Sequence, residues 1–176
     1  MKISSLNIKD VQLIEPDIFC DERGQFIESY NKNLFAKLFD KKFEFVQDNY
    51  SISKFGTLRG LHYQVTPNEQ GKLIYLTQGE VFFVALDIRK QSSTYGLYVN
   101  SVLSFKKKNQ LWIPPGFATG FLALTRNVGL IYKVTNFYSK KDERIIRYDD
   151  PMFKIEWPRL STSYILSEKD KNALYV

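Results

Sequence analysis

The chain holds one histidine among its 176 residues, His62, in the segment Gly56-Thr57-Leu58-Arg59-Gly60-Leu61-His62-Tyr63-Gln64. An imidazole ordinarily titrates at about 6.5, so it can take or give a proton near neutral pH. The same segment carries Arg59, whose planar, always-charged fork suits phosphate oxygens. On an extended strand, side chains three apart face opposite ways. A bulge or bend at Gly60 would alter that register, so a shared face for Arg59 and His62 stays open. Each candidate also has a structural reading. A lone histidine can be a hydrogen-bonded core or surface residue, Lys72 a surface lysine and Tyr132 part of the core. Asp170 closes a capping pair in Ser167-Glu168-Lys169-Asp170.

The counts narrow the chemistry. One histidine excludes a zinc or iron site built on two or three imidazoles of one chain. One cysteine, Cys20, excludes an internal disulfide and every cysteine-cluster metal site. The net charge of +6 favours anionic partners. That charge is dispersed, its longest run being Lys106-Lys107-Lys108, read as a solvated hairpin tip. No nucleic-acid motif frames that run. Isolated Arg59 and Lys72 in apolar surroundings point instead to a small phosphorylated ligand. The amino-terminal stretch carries Asp10 and Glu15 without an unbroken apolar run, and no segment reaches membrane-helix length, so a soluble cytoplasmic protein is expected.

The elements that must position these residues are mostly strands. With 44% apolar and 25% charged residues the chain can build a core, and its length fits one domain over residues 1–176. Strand-like segments cover Phe45–Ile52, Leu73–Thr77, Val81–Ile88, Tyr98–Leu103, Gln110–Ile113, Gly120–Leu124 and Leu130–Thr135. Val81–Ile88 is apolar on both faces, as in a strand buried on both sides. Turn residues separate the segments at short intervals, which indicates an all-β sandwich or barrel. Leu111–Phe121, with Pro114, Pro115 and Gly116 at its centre, reads as a tight turn joining two core strands. Asn33–Phe39 predicts one short helix with an asparagine start, and Ser167 predicts the N-cap of a last helical turn.

The order of short motifs resembles the dTDP-4-dehydrorhamnose 3,5-epimerase family, which acts on nucleotide-linked 4-keto sugars. The series runs from Phe19-Cys20-Asp21-Glu22-Arg23-Gly24 through Gln47-Asp48-Asn49-Tyr50-Ser51, Leu58-Arg59-Gly60-Leu61-His62 and Gly71-Lys72-Leu73. It continues with Ile113-Pro114-Pro115-Gly116-Phe117-Ala118, Ile131-Tyr132-Lys133 and Ser167-Glu168-Lys169-Asp170. The resemblance spans nearly the whole chain. It implies a cupin-like jelly-roll β-barrel, usually a homodimer, with neither metal nor cofactor. It implies His62 as catalytic base with Asp170 as its partner, Lys72 facing the sugar's keto oxygen, and Tyr132 as general acid. Arg23 and Glu28 match nucleotide-end contacts, with Arg23 reaching into the partner subunit's site. Gln47, Asn49, Arg59 (for the diphosphate), Glu143 and Lys169 match ligand-contacting positions, and Tyr138 an aromatic that lies against the base.

That activity makes physical sense of the residue types. A 4-keto group acidifies the hydrogens on C3 and C5, and removing one gives an enolate with its charge on O4. An ammonium preorganised at O4 is often the largest single contribution to such a reaction. Base and acid on opposite faces then invert the centre. One position departs from the family, which usually carries histidine where this chain has Thr119. Threonine offers only a hydroxyl to the ligand. The departure opens other 4-keto hexoses or heptoses, on dTDP or GDP, and inversion of C3 or C5 alone. Two other readings stand beside the epimerase: a 3,4-ketoisomerase on the same substrate class, and a nucleotide-sugar-binding barrel without catalysis.

Overall fold

The computed structural model describes residues 1–39 and 44–176. In chain order the elements are β1 (Lys2–Ser5), β2 (Gln12–Glu15), β3 (Phe19–Asp21), β4 (Gly24–Phe26), α1 (Lys32–Leu38), β5 (Gln47–Lys54), β6 (Leu58–Gln64) and β7 (Lys72–Gln78). There follow β8 (Glu80–Asp87), β9 (Tyr98–Ser104), β10 (Gln110–Ile113), β11 (Phe117–Ala123), β12 (Asn127–Val134), β13 (Glu143–Ile145) and α2 (Glu168–Lys171). Two antiparallel sheets form, one in the order β1-β2-β10-β7-β12-β5 and one in the order β13-β6-β11-β8-β9. They face each other as the cupin-like jelly roll expected from the sequence, and β3 and β4 pair apart as a small hairpin.

Burial explains the strand sequences. Val81, Phe83 and Ala85 of β8 point between the sheets, where they meet Ile74, Leu111 and Phe121. Their neighbours Val84 and Leu86 face outward, yet the returning C-terminal chain covers them with Ile146 and Phe153. A strand buried on both sides reads as a continuous apolar run, as β8 and β11 do. On the outer face of the larger sheet, Phe35 of α1 packs with Ile14, Leu73 and Trp112. β5 is different. Gln47, Asn49, Ser51 and Ser53 turn inward while Asp48, Tyr50 and Ile52 stay exposed, so one end of the barrel interior is polar.

Three sequence expectations change. The helix starts at Lys32, and its N-cap is Asn31, whose side chain accepts from the Leu34 N–H at 3.1 Å, so Asn33 lies inside the helix. The Lys106–Lys108 turn is not a hairpin tip: it joins β9 to β10, which belong to different sheets. The strand expected at Gly120–Leu124 begins three residues earlier, at Phe117. β1 to β4 and β13 carry no clear alternation and were not expected as strands.

Candidate active site

The site is built on the pairing of β6 with β11. Thr119 lies opposite His62 and Phe121 opposite Arg59, with a register shift between them. Residues 59 to 62 of β6 thus span the space of 119 to 121 on β11, and the extra residue makes a bulge. Gly60 sits there with φ +117°, and a Cβ on it would lie 2.6 Å from the Gly120 Cα. Only glycine fits that crossing. The bulge resolves the question left by the spacing: Arg59 and His62 both line one cavity of about 200 Å³.

His62 Nε2 lies 2.6 Å from Asp170 Oδ1. α2 delivers that carboxylate. Ser167 caps the helix, its Oγ accepting from the Asp170 N–H and donating to Asp170 Oδ2. The segment before α2 is held beside β6 by hydrogen bonds from Leu58 N–H to the Ile165 carbonyl and from Ile165 N–H to the Gly56 carbonyl. Asp170 is therefore both the capping partner and the histidine partner. Burial opposes its charge, but hydrogen bonds from His62, Ser167 and the Gly60 N–H hold its carboxyl below the usual range. The other ring nitrogen, Nδ1, lies 4.0 Å from Glu143 Oε1.

Lys72 crosses from the opposite sheet. Its Nζ donates to Thr119 Oγ1 at 2.6 Å and to the His62 carbonyl at 3.2 Å. Burial pushes this ammonium down to about 8, against the pull of the Glu143 charge. Tyr132 of β12 lies opposite Asn49 and Ile74 and lines the same cavity. Burial raises its phenol, with the Arg59 charge acting the other way. Arg59 donates to Ser53 Oγ and the Ile52 carbonyl and pairs with no carboxylate among the described residues.

At the rim, Glu143 accepts from Tyr138 OH at 2.8 Å and pairs with Lys169. Burial works against its charge, but these partners keep its carboxyl below the usual range. Gln47 Oε1 accepts from the Tyr138 N–H, and Gln47 Nε2 donates to Asn49 Oδ1. Arg23 and Glu28 stand apart from the cavity lining. Arg23 Nη2 lies 2.5 Å from Asp21 on the β3–β4 hairpin, its side chain 91% exposed, and Glu28 accepts from Asn31 Nδ2. Ser51 also lines the cavity, and its buried hydroxyl has no hydrogen-bond partner among the described residues. The inward alternation Gln47, Asn49, Ser51 was the signal that could have found it.

An imidazole paired with a carboxylate, a buried ammonium and a phenol thus surround one cavity inside a cupin-like barrel, groups chemically able to move protons. Known proteins make the class specific. The family profile described as dTDP-4-dehydrorhamnose 3,5-epimerase matches residues 5–176. An enzyme of that name from Shigella flexneri is 50% identical over 172 residues, covering 98% of this chain and 94% of the relative. A dTDP-6-deoxy-D-glucose-3,5-epimerase from Legionella pneumophila, crystallised with dTDP-4-keto-L-rhamnose, superposes with a TM-score of 0.94. It is 45% identical, covering 98% of this chain and 90% of that one. An epimerase of Mycobacterium tuberculosis superposes at 0.96 with 32% identity, covering 99% and 88%. The chain belongs to the dTDP-4-dehydrorhamnose 3,5-epimerase family. It is an isomerase, and its reaction is epimerisation. Among the described residues no helix is long and apolar enough to cross a membrane.

Proposed function

We propose that the protein inverts C3 and C5 of a dTDP-linked 4-keto-6-deoxyhexose by proton transfer through an enolate. The observation that carries this reading is the convergence of His62, Lys72 and Tyr132 on one cavity, with Asp170 behind the histidine. The dTDP moiety is the one named for the Shigella and Legionella relatives.

His62 takes the proton from C3 or C5, and the C–H electron pair moves into the C4 carbonyl. The resulting charge on O4 meets the Lys72 ammonium. Asp170 accepts the hydrogen bond of the imidazolium that forms and fixes the ring. Tyr132 returns a proton to the carbon from the other face, inverting it. The phenolate reloads from solvent and the imidazolium releases its proton, so each turnover leaves solvent hydrogen on the carbon. Arg59 binds the diphosphate, and Gln47, Asn49, Glu143, Lys169 and Tyr138 hold the nucleotide end. Thr119 borders the sugar.

The working form in this reading is a homodimer, with Arg23 of one subunit completing the other's nucleotide site. Supporting it, Arg23 has only a neighbouring aspartate as partner among the described residues, and its hairpin exposes Phe19 by 61% and Phe26 by 69%. Tyr50 and Ile52 of β5 are likewise exposed.

The test is incubation with a dTDP-linked 4-keto-6-deoxy sugar in deuterated water, read by NMR. Deuterium at both C3 and C5 is expected. Deuterium at one centre alone makes the enzyme a single-centre epimerase. A migrated carbonyl makes it a ketoisomerase. Binding without exchange makes it a binding barrel, and exchange only with the GDP-linked sugar overturns the nucleotide assignment.

A further inference from the structure

We propose that Thr119 is a positioning residue of this reaction: its hydroxyl fixes the Lys72 ammonium across the barrel interior so that the remaining N–H faces the cavity. The inference rests on Lys72 meeting O4 as described above. Lys72 begins β7 in one sheet, and Thr119 lies in the middle of β11 in the other. Their contact therefore spans the barrel. Both are buried, Lys72 at 8% and Thr119 at 7% exposure.

Three hydrogen bonds close a ring. The ammonium donates to Thr119 Oγ1 at 2.6 Å and to the His62 carbonyl at 3.2 Å, and the Thr119 hydroxyl donates to that same carbonyl at 3.3 Å. An ammonium has three N–H donors, and the described residues take two. Lysine, Thr119 and His62 all line the cavity, so the third has the ligand as its partner. Threonine also lies opposite His62 in the β6–β11 ladder. The hydroxyl thus ties the lysine to the backbone of His62.

The chemistry of the tether matters. A carboxylate in this place would neutralise the ammonium and weaken its hold on a developing O4 charge. A hydroxyl is a neutral acceptor, so it orients the charge without cancelling it. An apolar side chain would leave a flexible, buried charge with one partner fewer. The titratable and charged groups sharing the cavity with Lys72 are Arg59, His62 and Tyr63 on β6, Tyr132 on β12, Tyr138 after it and Glu143 on β13. None of them forms an ion pair with the Lys72 ammonium, and among the described residues Thr119 is its side-chain hydrogen-bond partner.

The test compares Thr119→Val, which keeps the shape, with Thr119→Ser, which keeps the hydroxyl. Steady-state rates are measured from pH 6 to 10, and the Lys72 Nζ is titrated by NMR in the same full chains without substrate. Thr119→Val is expected to lower kcat by about 10- to 100-fold with little change in KM. Its rate is expected to fall at a lower pH than wild type, with the Lys72 titration displaced the same way. Thr119→Ser restores both. Wild-type kcat, pH profile and titration in Thr119→Val would overturn the proposal, as would a raised KM at unchanged kcat, which marks a ligand contact instead. Should the wild-type protein invert no sugar, the functional reading fails, while the NMR titration still decides whether Thr119 holds Lys72.

Discussion

Lys72 and Arg23 are two cations assigned to one ligand, and the fold treats them in opposite ways. Lys72 is buried between the sheets, hydrogen-bonded to β6 and β11, and its charge is displaced from water. Arg23 stands on a two-strand hairpin whose residues are all exposed, held among the described residues by Asp21 two positions away. In the proposed reaction the proton-transfer groups are thus assembled by one chain, while the cation assigned to the nucleotide end is left in solvent. Chemistry that depends on fixed geometry is placed in the rigid barrel. Binding of the nucleotide end, as proposed, tolerates a contact supplied by a second subunit.

Of the two cations, the buried one should have the larger effect when replaced. Lys72→Met is expected to lower kcat by about 10²- to 10³-fold. Its stability effect runs the other way. The folded lysine loses its proton near 8 and a free lysine near 10.5, so between those values the unfolded chain binds more protons and stability rises with pH. Thermal melts of wild type should therefore climb across that window. Lys72→Met should melt above wild type at pH 7 and show a flatter pH dependence. The wild-type rate should fall as pH rises through about 8, when the ammonium is lost. A Lys72→Met protein that keeps its rate would place the oxyanion elsewhere.

Replacing the exposed cation should act on binding alone. Arg23→Ala is expected to raise KM by roughly 10-fold with kcat nearly unchanged, as for the loss of one charge-assisted hydrogen bond. Phe26→Glu on the same hairpin should give a monomer by light scattering with the same raised KM. A dimeric, fully active Phe26→Glu would separate the hairpin from assembly. The smallest effect is expected at Ser51, where Ser51→Ala removes one unpartnered hydroxyl and should raise KM by about 2- to 10-fold. No change there would remove that hydroxyl from the ligand's contacts.

The strand buried on both faces was the most legible part of the chain, because β8 carries a run that only a two-sided core accommodates. The Ser167 cap was legible because capping is local. What escaped was non-local or weakly patterned. β3 and β4 are exposed throughout, so no alternation marks them. Lys106–Lys108 has the composition of any turn, and nothing in it says that the chain changes sheets there. Of the site, residue types pointed to His62, and the family likeness pointed to its companions. The fold supplies the rest: 108 residues separate His62 from Asp170, the Gly60 bulge turns Arg59 to the same cavity, and the Lys72–Thr119 bond joins opposite sheets. None of these follows from local pattern.

The central claim is that the His62 ring removes the proton beside the keto group. Solvent-hydrogen exchange into C3 and C5 of the 4-keto sugar, compared between wild type and a folded His62→Asn, tests it most directly. The account predicts a loss of about 10²- to 10⁴-fold at both centres with nucleotide binding retained. Exchange at the wild-type rate in His62→Asn would contradict it.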